Sequence, residues 1–268
     1  MRILIAGATS GIGLAAAEAL AADGHEVWGC GRRPMERPLS AAGLLHFRQC
    51  DVADEDQVQD LYGEIRGRAV HLDAVVVAAG IFGAIGRVAF SRSLDFRAAL
   101  ETNVLGCYYL AKHGYRLLTA AEGPARLIAF AGGGAFNPFP HYAAYAASKA
   151  AVVRLVECLA VEWAPKITVN AIAPGMVNTA IHAQTIAAGP YRAGKVQFAR
   201  TLELQEAGGV PMDVPVACLR WLLSKDTAEL TGRTIAANFD PWHRPDFLER
   251  LSLDPELCTT QRLTLQGG

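Results

Sequence analysis

Residues 2–13 read Arg2-Ile3-Leu4-Ile5-Ala6-Gly7-Ala8-Thr9-Ser10-Gly11-Ile12-Gly13, a short apolar run followed by a glycine-rich turn. The apolar run predicts a β-strand at 2–6, and the alanine-rich residues 14–22 predict a helix. Glycines are needed where the backbone turns sharply beside a ligand, and the first turn of the helix offers unpaired N–H groups to a phosphate. The stretch therefore predicts a strand, a phosphate-binding turn and a helix in succession.

The rest of the chain continues this alternation of strands and helices. Short stretches rich in apolar residues predict further strands at 26–30, 45–49, 72–79, 126–131, 167–172 and 234–237. Longer stretches predict helices at 55–66, 94–118, 143–163 and 214–224. The uninterrupted run Val75-Val76-Val77 is typical of a parallel strand that is covered on both faces. We predict an α/β fold with one doubly wound parallel sheet of about seven strands and helices on both faces, a Rossmann-type dinucleotide-binding domain.

The composition indicates which classes of molecule the protein is expected to bind. The 268 residues include 25 Lys and Arg against 26 Asp and Glu, a balance that favours a small-molecule substrate over nucleic acid or an anionic membrane. No apolar run approaches the roughly 20 residues of a membrane span. The six cysteines are scattered, without the close pairing of a metal site or a disulfide framework, which predicts reduced thiols and a cytoplasmic location.

The end of the second strand predicts which dinucleotide is preferred. An Asp or Glu there would accept hydrogen bonds from the ribose of NAD, but the chain has Gly31 followed by Arg32 and Arg33. A guanidinium binds a 2'-phosphate through paired hydrogen bonds, which favours NADP(H) over NAD(H). Alternatively, both arginines are simply solvated. Asp51, after the third strand, either contacts the adenine or, with Asp54, opens the following helix.

Tyr145 and Lys149 lie four residues apart in an alanine-rich helix and therefore share one face. A phenol with a pKa of about 10 is a poor acid or base, and a neighbouring cation lowers that pKa. The pair is either a proton-transfer site or an ordinary pair of helix residues. Asn103, in the middle of the helix at 94–118, marks either a functional distortion together with Gly106 or a plain surface position.

These motifs, taken in order, resemble those of short-chain dehydrogenases/reductases with a single Rossmann domain. The resemblance covers residues 1–238, which are expected to form one dinucleotide-binding and catalytic domain, and leaves 239–268 as a C-terminal extension. The matching motifs are the glycine turn at 7–13, Asp51-Val52, Asn103, Tyr145-x-x-x-Lys149, and Pro174-Gly175 with Thr179.

The resemblance implies hydride transfer between a nicotinamide and a ketone or secondary alcohol. Tyr145 would be the general acid/base, Lys149 would hold the nicotinamide ribose and lower the tyrosine pKa, and Asn103 would support a water relay. The cofactor-binding residues expected are Gly7, Thr9, Ser10, Gly11, Ile12, Gly13, Arg32, Arg33, Asp51, Val52, Ala79, Gly80, Asn103, Tyr145, Lys149, Pro174, Gly175, Val177 and Thr179. The family also implies a homodimer or homotetramer built on the two long helices.

Two departures from the family pattern stand out. Val77-Ala78-Ala79-Gly80 replaces the usual Asn-Asn-Ala-Gly, and Gly132 lies thirteen residues before Tyr145, where the family has a catalytic serine. Loss of one preorganised donor costs about 3 kcal/mol of transition-state stabilisation. Substitutes for that serine are Asn137, His141 or Tyr142, a bound water, or a hydroxyl carried by the substrate in the space beside the glycine.

The missing serine leaves three functions open. The first is an NADP(H)-dependent reductase or dehydrogenase, with a sugar-like, polyhydroxylated substrate if a substrate hydroxyl fills the space at Gly132. The second is a regulatory subunit that binds NADP(H) without turnover, and the third is a redox-neutral enzyme. Residues 181–210 are either a mobile substrate lid or an ordered helical insertion. Trp242 and Phe247 in the extension are expected to pack against a subunit or to close the substrate site.

Overall fold

A computed structural model of the chain describes residues 1–35 and 44–260. Within these ranges, seven strands form one parallel sheet in the order β3-β2-β1-β4-β5-β6-β7. The strands are β1 (Arg2–Ala6), β2 (Glu26–Gly31), β3 (Leu45–Gln49), β4 (Ala74–Val77), β5 (Ala125–Phe130), β6 (Ile167–Ala173) and β7 (Thr234–Ala236). The predicted fold class is confirmed. The strand order reverses beside β1, which creates a crevice between β1 and β4.

The longer helices connect successive strands or follow the last one. They are α1 (Gly11–Ala22), α2 (Glu55–Arg66), α3 (Ser93–Leu100), α4 (Gly106–Thr119), α5 (Ala143–Trp163), α6 (Ala183–Ala193), α7 (Lys195–Ala207), α8 (Asp213–Leu223) and α9 (Asp246–Leu253). None of the helices found in the described ranges is long and apolar enough to cross a membrane.

The sheet separates two apolar cores because successive strand residues point to opposite faces. In β1, Leu4 contributes to a core formed with α2, α4 and α5, whereas Ile3 and Ile5 contribute to a core formed with α1, α8 and α9. All three side chains are completely buried. The sheet is therefore covered on both faces, as the uninterrupted apolar strands predict.

The helix predicted at 94–118 is interrupted by one wide turn. Residues Glu101–Leu105 form a π-helical turn between α3 and α4. Such turns are frequent at functional sites, because the wider ring changes the direction in which a side chain leaves the helix. Asn103 lies in this turn with only 2% of its surface exposed. The alternative of a plain surface asparagine is therefore wrong.

The segment 181–210 is largely helical, as the second of the two interpretations of the sequence expects. It contains α6, kinked at Gly189 before Pro190, and α7. Val177, just before the insertion, forms an isolated β-bridge with Gly209 and Val210 at its end. The insertion thus leaves and rejoins the domain at almost the same point.

The C-terminal extension packs on its own domain. Phe247 in α9 is 3% exposed, and the rings of Phe247 and Trp242 lie 6.1 and 6.0 Å from the ring of Trp221 in α8. The indole N–H of Trp242 donates to the carbonyl of Ala237 at 2.9 Å. The packing role expected for Trp242 and Phe247 is therefore present. The last residues of the extension, 261–268, lie outside the described ranges.

Candidate active site

One cleft of about 1230 Å³ brings the predicted motifs together. Its walls include the residues that follow β1, β4, β5 and β6, so it lies at the carboxyl ends of the central strands. Every residue predicted to bind the cofactor lines this cleft except Asp51 and Asn103. A cleft of this size and position is suited to an extended nucleotide ligand.

The glycine turn packs closely against neighbouring backbone. Gly7 has a φ of +90°, and a Cβ there would lie 2.6 Å from the backbone nitrogen of Ala79. A Cβ on Gly11 would approach the methyl carbon of Thr179 at 3.2 Å. Because larger residues do not fit at these positions, the turn stays open to a ligand and meets the loop after β6.

The two arginines after β2 both face the cleft. The guanidinium of Arg33 donates to the hydroxyl of Ser10 at 3.0 Å, which holds it across the glycine turn. The backbone carbonyl of Arg32 accepts from the side-chain amide of Gln49 at 2.8 Å. The Arg33 guanidinium is thus held next to the glycine turn, where it is available to an anionic group of a ligand.

Asp51, for which an adenine contact is expected, lies outside the lining of the cleft. Its carboxylate accepts the N–H of Ala53 at 3.1 Å within a turn. Asp54 caps α2 by accepting the N–H of Gln57 at 3.2 Å. These contacts agree with the alternative that the two carboxylates organise the start of the helix, and Val52 lines the cleft.

Tyr145 and Lys149 lie on the cleft side of α5. The Lys149 Nζ atom is 5.8 Å from the centre of the Tyr145 ring and donates to the carbonyl of Phe130 at 2.6 Å. Burial lowers the pKa of Lys149 to about 8 and raises the pKa of Tyr145 to about 12. Burial therefore shifts the Tyr145 pKa in the direction opposite to the lowering expected from a neighbouring lysine.

The Tyr145 phenol fills the space beside Gly132. A Cβ on that glycine would collide with the phenolic oxygen and lie 3.0 Å from the Cζ atom. Gly132 has an extended backbone, with φ at -169°, which any residue adopts, so the constraint is steric. In this structure the phenol therefore occupies the space in which the sequence allowed a water or a substrate hydroxyl.

Of the three side chains proposed as substitutes for the serine, Asn137 alone lines the cleft. The carbonyl oxygen of Arg192, 2.8 Å from Nδ1 of His141, can only accept, so Nδ1 carries the hydrogen and donates it. The Tyr142 hydroxyl donates to Thr185 at 2.9 Å within the interior. The His141 and Tyr142 groups are therefore committed to the insertion.

Asn103 acts behind the cleft wall. Its amide accepts the N–H of Ile81 and donates to the carbonyl of the same residue, both at 2.9 Å, and it also donates to the Ser148 hydroxyl at 2.8 Å. A Cβ on Gly80 would lie 3.4 Å from both the Asn103 oxygen and Lys149 Nζ. The π-helical turn thus aims Asn103 at the loop after β4 and joins that loop to α5.

The cleft has further walls that the motifs did not indicate. They comprise aromatic, apolar and polar side chains from several loops, among them Phe82, Phe136, Phe139, Met176, His182, Gln184, Gln197, Arg200, Asn238 and Phe239. Most of these belong to stretches without regular periodicity, so spacing gave no signal for them. Among the described residues there is no group of three or more His, Cys, Asp or Glu suited to a metal ion.

A parallel sheet with a glycine turn at its crevice and a Tyr–Lys pair in the same cleft defines a dinucleotide-binding α/β protein. The family model described as enoyl-(acyl carrier protein) reductase matches residues 7–239. A short-chain dehydrogenase/reductase of Armillaria gallica is 31% identical over 245 residues, which cover 87% of this chain and 92% of that protein. The chain belongs to the short-chain dehydrogenase/reductase family, a family of oxidoreductases.

Two other similar proteins have more specific names. A 3beta-hydroxysteroid dehydrogenase of Mediterraneibacter gnavus is 29% identical over 259 residues, which cover 88% of this chain and 92% of that protein. A solved variant of actinorhodin polyketide ketoreductase with NADPH superposes with a TM-score of 0.77 at 26% identity, covering 88% of this chain and 94% of that one.

Proposed function

We propose that this protein is an NADP(H)-dependent oxidoreductase that interconverts a ketone and a secondary alcohol, with Tyr145 as the proton donor or acceptor. One observation supports this most directly. The glycine turn, the Arg33–Ser10 contact and the Tyr145–Lys149 pair line a single cleft, so a dinucleotide on the turn extends to the phenol. NADPH, when bound, supplies the hydride.

The protein residues then handle the proton and its charge. With a pKa of about 12, the Tyr145 phenol is fully protonated near neutral pH and is ready to donate to a substrate oxygen. Lys149, with a pKa of about 8, is mainly an ammonium there and stabilises the phenolate that remains. Asn103 keeps the loop at Ile81 in place behind this pair.

The substrate proposed is a bulky ketone with an apolar body. Three large apolar side chains at the cleft remain unusually exposed, with Phe136 at 46%, Met176 at 38% and Phe239 at 83%. Exposed apolar groups around a cleft are typical of a surface that contacts a ligand. A sugar-like substrate is inferred from free space for a substrate hydroxyl at Gly132, but in this structure the phenol occupies that space.

The decisive experiment follows NADPH absorbance with a panel of aromatic and steroid ketones. Wild type is expected to turn over members of the panel and to have a higher kcat/KM with NADPH than with NADH. Tyr145→Phe is expected to lower kcat by about 100- to 10,000-fold, the usual contribution of a general acid. Tyr191→Phe, the same change at a 90% exposed tyrosine, serves as the control and should keep wild-type turnover. Equal turnover by Tyr145→Phe would contradict the mechanism.

A second candidate function is a regulatory subunit that binds NADP(H) without turnover. It is favoured by the absence of the family serine at Gly132, against which the phenol rests, and by the hydrogen bond that Lys149 donates to the Phe130 carbonyl. NADPH binding, followed by fluorescence, together with no turnover of any panel member would support this function. Turnover of any ketone by the wild type would reject it.

The assembly and location proposed from the sequence are a homo-oligomer in the cytoplasm. Leu105, Tyr108 and Tyr115, in and beside α4, remain 40–43% exposed and offer an apolar surface for a second copy. All six cysteines are free thiols, in keeping with a reducing compartment. Light scattering after gel filtration distinguishes a monomer from a dimer or tetramer.

A further inference from the structure

His182 lies at the start of the insertion, at the end of a short helical turn formed by Ala180–His182. The side chain is almost fully buried, with 8% of its surface exposed, yet the residue lines the cleft. It belongs to neither the cofactor motifs nor the Tyr145–Lys149 pair. A polar ring in this position contributes to the part of the cleft that remains for the substrate.

The protonation of the His182 ring follows from its contacts. The Nε2 atom is 3.2 Å from the carbonyl oxygen of Val177, which can only accept, so Nε2 carries the hydrogen. Burial lowers the pKa of the ring, which keeps it neutral at pH 7. The Nδ1 atom therefore carries a lone pair, and in the described part of the chain this atom is buried and has no hydrogen-bond partner.

Phe82 places this acceptor near the reacting end of the cleft. The centre of the Phe82 ring is 6.0 Å from that of His182 and 4.9 Å from that of Tyr145, with both pairs in edge-to-face geometry. The acceptor and the phenol thus flank one aromatic ring. A buried acceptor without a partner is unfavourable, and a ligand that supplies a donor removes that cost.

We propose that His182 determines substrate specificity by accepting, at Nδ1, a hydrogen bond from a hydroxyl or N–H group of the substrate. The substrate class is a ketone or alcohol with an apolar body and a separate hydrogen-bond donor, which rests on the proposed function. A neutral His182 with its hydrogen on Nε2 is an acceptor, so it does not replace the donor that the family serine would supply.

The test uses pairs of aromatic ketones, each with a hydroxyl at a different distance from the carbonyl and each matched by its deoxy analogue. Wild type is expected to prefer the hydroxylated member at one spacing by about ten- to a hundred-fold in kcat/KM, because the analogue leaves Nδ1 unpaired. In His182→Phe the ratio should fall to about one, while His182→Asn, whose amide oxygen accepts a hydrogen bond, should retain part of it. His243→Phe, an exposed histidine outside the cleft, is the control and should keep the ratio. No preference in wild type, or a preference that persists in His182→Phe, would overturn the proposal.

A second measurement separates this proposal from the proposed function. Long-range proton–nitrogen spectra of the histidines in the NADPH-bound protein report the tautomer without any turnover. We expect Nδ1 of His182 to be unprotonated and its resonance to move when a hydroxylated ketone, but not its deoxy analogue, is added. A hydrogen on Nδ1, or equal responses to both ketones, would reject the role of His182. Failure of every ketone to react, with this response intact, would reject the proposed function alone.

Discussion

The Tyr145 phenol rests against the backbone of Gly132, at the position where the family has a serine. We expect Gly132→Ala to push the phenol out of place, because the added methyl group collides with the phenolic oxygen. The expected result is a kcat lowered at least about ten-fold and a stability lowered by about 1–3 kcal/mol. Gly133→Ala is the matched control, since a Cβ there meets nothing within 4 Å.

Steady-state kinetics and urea unfolding of the two alanine variants measure these effects. If Gly132→Ala kept the activity of Gly133→Ala, the phenol would have room to move freely, and the steric description of the site would be wrong.

Lys149 links the active site to stability. Burial lowers its pKa from 10.5 to about 8, so between these values the unfolded chain binds the proton and the folded chain does not. Stability from this group therefore rises as the pH increases from about 8 to about 10.5, and below about 8 the buried ammonium opposes folding by roughly 3 kcal/mol. We expect Lys149→Met to be more stable than wild type at pH 7 and this advantage to shrink at pH 10. Urea unfolding at both pH values measures it, and an equal difference at both would refute the linkage.

At the scale of elements, one buried hydrogen bond joins the insertion to the domain. Tyr142, just before α5, donates to Thr185 in α6 at 2.9 Å, and both side chains are completely buried. Tyr142→Phe leaves the threonine hydroxyl unpaired, and we expect a loss of about 1–3 kcal/mol in unfolding free energy. In the double variant Tyr142→Phe/Thr185→Val, the loss of unfolding free energy should be smaller than the sum of the losses in the two single variants. Urea unfolding of the four proteins gives the coupling, and strict additivity would show that the bond contributes nothing.

The elements differ in how well the sequence predicts them. Strand β3 and helix α2 have the predicted bounds, because the alternation of Leu45 and Phe47 with polar residues and the aspartate cap of α2 are local signals. The local sequence does not reveal the π-helical turn at Glu101–Leu105, because a helix with one wider turn has nearly the same pattern of apolar residues as a regular helix. Asn103 marked the place, but the contacts of its amide with the Ile81 backbone depend on tertiary packing.

The residues of the candidate site also differ in how well the sequence predicts them. The residues of the glycine turn and the Tyr145–Lys149 pair are readable from spacing, and they do share one cleft. The direction of the tyrosine pKa depends on how much water the fold excludes, which spacing does not reveal. His182 lies in a stretch without periodicity, so a single histidine there carried no signal.

At the scale of the whole molecule, the C-terminal extension contributes to the apolar core that lies between the sheet and helices α1 and α8. Phe247 is 3% exposed, so Phe247→Ala should lower the unfolding free energy by about 3–5 kcal/mol, as for other buried aromatic residues. Leu253→Ala, in the same helix α9 but 76% exposed, is the control and should change it by less than about 0.5 kcal/mol. Thermal and urea unfolding compare the two variants, and equal losses would show that α9 does not belong to the core.

The bridge between Val177 and residues Gly209 and Val210 gives the insertion a modular character. Because its two ends lie side by side, the intervening chain can be exchanged for another of different length without changing the spacing of the strands. Gly209 is fixed at this junction, since its φ is +61° and a Cβ would lie 2.5 Å from the carbonyl oxygen of Met176. Grafting experiments that keep residues 177–179 and 209–210 would therefore leave the glycine turn and its contact with Thr179 intact, and they test whether substrate range moves with the insertion.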